Sequence, residues 1–140
     1  MAKGFLERLL SEKKSDILVW AAGTIWSVWG GPTSGAIRAM ATYGIDISSY
    51  TSIRISRDLI DRADLILVMA EGHRRKVIDM EPAAARKVFL LKEFAGSKEN
   101  LEIPDPIGQS YEAYQSVARE IKEALELALS KIIDFVRTDK

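Results

Sequence analysis

Asp64-Leu65-Ile66-Leu67-Val68-Met69-Ala70 is the clearest strand-forming run in the chain, and every residue in it after Asp64 is apolar. A strand with no polar alternation is covered on both faces, which is the pattern of a parallel sheet between two helical layers. Upstream, Asp16 to Ala22 (Asp-Ile-Leu-Val-Trp-Ala-Ala) repeats the pattern and stops at Gly23, so it reads as a buried strand with Trp20 in the core. Downstream, Val88-Phe89-Leu90-Leu91 is a third strand. Between and around these runs the spacing turns helical. Phe5, Leu6, Leu9 and Leu10 mark an amphipathic helix over 1–14, and Thr33 or Ser34 caps a helix that carries Ile37, Met40 and Ala41 inward and stops at Tyr43-Gly44. Ser56 caps a third helix with Asp58 in its first turn, 72–80 reads as a polar surface helix, and Pro82 opens a short helical turn. From Ser110 to about Arg137 one stripe runs through Tyr114, Val117, Ala118, Ile121, Leu125, Ala128, Ile132 and Val136, which makes the longest helix a cover for one sheet face. Alternating helices and strands without repeats or an interdomain linker describe one α/β layer domain over 1–140.

Composition agrees and removes several kinds of function. With 140 residues, 47% hydrophobic and 29% charged, the chain can bury a core of its own. Twenty basic and twenty acidic residues cancel, so no bulk charge attracts nucleic acid or an anionic membrane. No apolar run approaches the ~18 residues of a membrane span, and the charged N-terminus has no apolar signal-peptide region, so a cytoplasmic location is expected. There is no cysteine, hence no disulfide, thiolate metal site or cysteine nucleophile. The single histidine, His73, sits in the basic run His73-Arg74-Arg75-Lys76 with no second histidine or cysteine to share a metal, so a solvated face is expected and neither a metal nor another cofactor is called for. Ser15, Ser27 and Ser34 have no credible base, which argues against serine-hydrolase chemistry.

In open α/β sheets ligands gather at the carboxyl ends of the strands, where the 22–34 loop, the segment after Met69 and the 103–108 loop would emerge together. Ile103-Pro104-Asp105-Pro106-Ile107-Gly108 is the most specific of these, because two prolines fix the backbone on either side of one carboxylate and Gly108 permits the turn that follows. Asp105 is either a turn aspartate or an acid aimed at a pocket. Gly30-Gly31-Pro32-Thr33-Ser34-Gly35 could offer backbone amides to a phosphate, but it lacks P-loop spacing and its lysine, and a cap and turn is the simpler reading.

The order of these motifs resembles the low-molecular-weight protein-tyrosine phosphatases, including the bacterial branch that acts on phosphoarginine. The resemblance rests on Ala21-Ala22-Gly23-Thr24, Gly44-Ile45-Asp46-Ile47-Ser48, the 63–69 strand, Val88-Phe89-Leu90-Leu91 and the 103–108 loop, and it runs through the whole chain. It implies a flavodoxin-like three-layer α/β fold with a parallel sheet, in which a central first strand ends in a Cys-x5-Arg-Ser phosphate loop whose thiolate attacks phosphorus. That strand and loop are not in this sequence. The start Met1-Ala2-Lys3-Gly4-Phe5 resembles the residues that directly follow the loop in relatives, so the domain is expected to be N-terminally incomplete relative to the family.

The same resemblance assigns Asp105 the role of general acid, and it places Trp26, Trp29 and Ile107 at the substrate entrance, although Ile107 stands where many relatives carry an aromatic residue and Ile53-Arg54 stand where they carry Arg-Gln. For Trp26 and Trp29 a rim role and ordinary packing both remain open. The implied substrate is a phosphorylated protein or small phosphomonoester, but an acid without a nucleophile has nothing to protonate, so catalytic incompetence is expected. The alternative is a non-catalytic interaction or self-association domain. Because the absent strand would lie between 16–22 and 64–70, both neighbours should lose ladder partners, and the flanking strands should close up or take strands from a second chain by exchange or homodimerisation.

Overall fold

A computed structural model describes residues 1–23, 31–51 and 53–138. In chain order it forms α1 (Ala2–Glu12), β1 (Ala22–Gly23), α2 (Ser34–Ala41), β2 (Ile53–Arg54), α3 (Arg57–Arg62), β3 (Ile66–Val68), α4 (Glu71–Met80), a 3-10 turn (Pro82–Lys87), β4 (Val88–Leu90), α5 (Leu91–Phe94) and α6 (Tyr111–Thr138). Helix starts and stops follow their local chemistry. The Thr33 and Ser56 hydroxyls accept the Ala36 and Leu59 amides and so satisfy donors that the first turns of α2 and α3 leave free. At the end of α2, Gly44 takes φ +74° while its own N–H and that of Ile45 close on the carbonyls of Ala41 and Met40. This paired closure favours glycine, because a Cβ is disfavoured at positive φ.

Two layers of helix sandwich the strands. Phe5 of α1, Ala39 and Met40 of α2, and the α6 stripe from Tyr114 to Ile132 form one buried cluster, on which Leu65, Leu67 and Met69 rest. Ile60 of α3, Val77 of α4, Val88 and Leu90 form a second cluster with Val68, and Ile66 packs on it. Successive β3 residues therefore go to opposite faces, as the period of a strand requires. The result is a three-layer, flavodoxin-like α/β arrangement with parallel strands.

The sheet itself is in two parts. β1 pairs in parallel with β2 through Ala22↔Ile53 and Gly23↔Arg54, and β3 pairs in parallel with β4 through Ile66↔Val88, Leu67↔Phe89 and Val68↔Leu90. Among the described residues no strand joins the two pairs. As expected, β1 and β3 each lack one neighbour, but they have not closed up: a cleft of about 780 Å³ separates 16–23 from 63–69.

Four sequence expectations are corrected by the structure. The strand over 16–22 is reduced to Ala22–Gly23, and Trp20, expected in the core, is 48% exposed beside a Leu18 that is 82% exposed. Among the described residues 16–21 pairs with no strand on either side, and without a ladder its propensity does not hold it as a strand. Trp20 instead stacks under the Arg62 guanidinium, 5.1 Å from the ring centre. Ala41 faces solvent rather than the core, and Leu91, expected to end the third strand, opens α5. Trp26 and Trp29 lie outside the described residues.

Candidate functional site

The 103–108 loop is mounted on the β3 and α4 junction by two bonds. The Ile103 amide donates to the Met69 carbonyl at 2.8 Å, and the Glu102 carboxylate accepts the Glu71 amide at 2.8 Å, which caps the start of α4. Ile103 and Pro106 are buried, so the loop is pinned at both ends while Pro104 and Asp105 between them face solvent. Asp105 Oδ1 accepts the Ile107 amide at 3.0 Å, and the Pro106 carbonyl accepts the Gln109 amide at 2.9 Å with Gly108 at φ +76°. The carboxylate thus closes an Asx turn and at the same time lines the large cleft.

That cleft is bounded by the 16–23 segment, by 63–69, by α1 and α6 on one face and by α3 and α4 on the other. Its lining is mainly apolar, with Asp16, Lys3, His73 and Asp105 among the polar side chains. Met1 also lines it, and burial holds the Met1 α-amino group below its ordinary value of 8.0, because the cationic form loses water there. Phosphorus chemistry needs an attacking group within reach of the acid. No cysteine exists anywhere in the sequence, and His73 is the only histidine. Among the described residues no group of three or more His, Cys, Asp or Glu side chains could hold a metal ion.

Ile107 goes elsewhere. The turn at Gly108 carries it, 64% exposed, into a separate hollow of about 440 Å³ shared with the start of α2, Arg38 and Tyr111. There Thr33 donates to the Tyr114 hydroxyl at 3.0 Å, and the Arg38 guanidinium lies 3.8 Å from the centre of the Tyr111 ring. Gly35 sits so close to Tyr114 that an added Cβ would be 2.5 Å from the ring. The resemblance made Asp105 the acid and placed Ile107 at the substrate entrance; in the structure the two line neighbouring concavities.

The chain matches the model of the family described as low molecular weight phosphotyrosine protein phosphatase over residues 1–136. It belongs to that family. The low molecular weight phosphatase relatives include the probable low molecular weight protein-tyrosine-phosphatase EpsP of Ralstonia nicotianae, 30% identical over 127 residues that cover 90% of this chain and 84% of the relative. Arsenate reductase 1 of Staphylococcus epidermidis is 32% identical over 126 residues, covering 90% and 82% of the two chains. Among solved structures, a mutant of the YwlE arginine phosphatase with a phosphorylated active-site serine superimposes with a TM-score of 0.88 at 25% identity, over 99% of this chain and 90% of that one. Among the described residues this phosphatase-family chain carries two pairs of parallel strands that no strand joins. No helix among its described residues is long and apolar enough to cross a membrane.

Proposed function

We propose that residues 1–140 form a single phosphatase-family domain, of the phosphotyrosine or phosphoarginine kind, that does not turn over substrate as it stands. The absence of any cysteine carries this reading. Transfer of a phosphoryl group in two steps requires a nucleophile that takes it from the leaving oxygen or nitrogen, while an acid supplies the proton to that leaving atom. Asp105, exposed at the cleft, is suited to the second task and has no thiolate opposite it for the first. Arsenate reduction, the activity in the name of the Staphylococcus relative, is disfavoured by the same count, because thiol redox chemistry has no sulfur to work through.

In this reading the ligands are phosphorylated proteins or small phosphomonoesters in a cytoplasmic setting, and Trp26, Trp29 and Ile107 contribute to the substrate entrance. Arg38 beside Ile107 offers a cation next to an apolar rim, which supports that assignment for Ile107. A second reading, a non-catalytic interaction domain that self-associates or exchanges strands, is favoured by the open edges of β1 and β3. The test is hydrolysis of p-nitrophenyl phosphate, a phosphotyrosine peptide and a phosphoarginine peptide. Rates at the buffer background, unchanged by Asp105→Ala, are expected. Turnover that Asp105→Ala abolishes would show that the chain carries a nucleophile this reading denies it.

A further inference from the structure

The hollow beside Ile107 is lined by hydrogen-bond donors that the chain leaves unused. Arg38 holds its guanidinium 3.8 Å from the centre of the Tyr111 ring, and among the described residues it makes no ion pair and no hydrogen bond. Stacking occupies the face of the guanidinium and leaves the N–H groups on its edge unspent. Thr33 and Tyr114 share one hydrogen bond at 3.0 Å, and the Thr33 oxygen also accepts the Ala36 amide. Two hydroxyls bring two protons. Whichever way the shared bond runs, one proton is therefore left without an acceptor among the described residues. Ser34 adds a further hydroxyl with no partner among the described residues, and it stands one turn before Arg38 on α2, so the two side chains share a face of the helix. Among the described residues no aspartate or glutamate lines the hollow. The positive charge there is uncompensated.

We propose that this hollow is a binding site for a phosphate group, free or borne by a monoester, which it holds without hydrolysing. An oxyanion is the ligand that a cation and neutral donors select together, and the Arg38 fork matches two of its oxygens. A carboxylate has only those two. A phosphate brings a further oxygen for the hydroxyls, which is why it suits this donor set better. The hollow also has room beyond the phosphate: its volume of about 440 Å³ lies in the range of small-ligand sites, roughly 300–1,000 Å³. Exposed Ile107 and the Tyr111 ring supply apolar surface for the group that an ester would carry. Binding here needs no nucleophile, so the proposal is independent of the phosphatase reading, which concerns turnover.

The probes are phenyl phosphate, inorganic phosphate and acetate, titrated into the full chain at constant ionic strength and followed by amide shifts in proton–nitrogen NMR spectra. Saturable shifts are expected at 33–38 and 107–109 for both phosphates, with a Kd of about 1 mM. Arg38→Ala should weaken binding roughly tenfold to a hundredfold and Ser34→Ala roughly fivefold. Arg38→Lys should fall between wild type and Arg38→Ala, because the charge remains while the fork is lost. Both positions are exposed, so these replacements leave folding intact, and Arg75→Ala on the exposed face of α4 is the control that leaves binding unchanged. Tighter binding of phenyl phosphate identifies an ester as the ligand through its contact with Ile107, and tighter binding of inorganic phosphate identifies the free ion; either order upholds the site. Equal affinity for acetate, unchanged binding in Arg38→Ala, shifts confined to 16–23 and 63–69, or no saturation overturns the proposal.

Discussion

The α6 helix and the 16–23 segment both carry large apolar side chains and reached different ends. In α6 the residues of the stripe are buried without interruption, Ala118 and Ala128 completely and Leu125 to 2% exposure. In the 16–23 segment, Leu18 and Trp20 are open to solvent and only two residues enter a ladder. The difference lies in where each backbone finds its hydrogen bonds. A helix closes them within its own chain segment, so its apolar stripe needs only something to pack against. A strand takes its bonds from neighbouring strands: β3, paired with β4 over three residues, keeps its alternation, whereas 16–21 pairs with no strand among the described residues and leaves Leu18 and Trp20 in solvent. Hydrophobic sequence is therefore sufficient for a helix here and insufficient for a strand.

Truncation at matched positions is the strongest way to break this contrast. Leu125→Ala removes a side chain buried in the α6 stripe and is expected to cost about 2–5 kcal/mol, while Leu18→Ala should stay within about 0.5 kcal/mol, both read from urea unfolding. Similar losses at the two sites would mean that the 16–23 segment is as firmly packed as the helix. A smaller effect sharpens the helical side. Gly35→Ala drives a Cβ into the buried Tyr114 ring and should cost about 1–3 kcal/mol despite the better helix propensity of alanine, with loss of the Thr33 to Tyr114 hydrogen bond visible in the tyrosine signals. A stable, unshifted Gly35→Ala protein would show that α2 and α6 are less closely fitted.

The smallest expected effect belongs to the cleft. Burial lowers the folded-state value of the Met1 amine below the 8.0 of the unfolded chain, so between those two values the unfolded chain binds more protons. Stability should accordingly rise with pH through that window and level off above it. Acetylating the amine should raise the urea midpoint below the window and remove this part of the slope, with every other titrating group left in place as the control. An identical pH dependence before and after acetylation would mean that the amine is well hydrated and the cleft is wet at that end.

How much of this was legible depended on how locally each feature is encoded. Ser56 with Asp58, Thr33, Gly44 and the α6 stripe announce themselves within a turn or two, and each lies where its spacing put it. The 103–108 loop was legible because prolines fix a backbone wherever they stand. What failed was relational. Nothing in Asp16 to Ala22 says whether a neighbour will flank it, and the resemblance alone indicated the open middle of the sheet. Lys87 was missed for the same reason: its ammonium donates to the Ala63 and Asp61 carbonyls, at 2.7 and 3.4 Å, and so closes the end of α3 from a distant part of the sequence. A lysine before a strand carries no sign of such a partner. The separation of Ile107 from Asp105 was hidden too, since a turn sets direction through Gly108 rather than through residue type.

One consequence follows from the way the 103–108 loop is held. Its anchors are the Ile103 amide on Met69 and the Glu102 carboxylate on Glu71, and Asp105 contributes a single Asx bond to Ile107. An asparagine at 105 could accept that same amide, so the scaffold and the ionisable group are separately encoded. Erasing the charge would leave the loop standing, and restoring it would require no rebuilding. In this chain the acid is an interchangeable fitting on a permanent bracket.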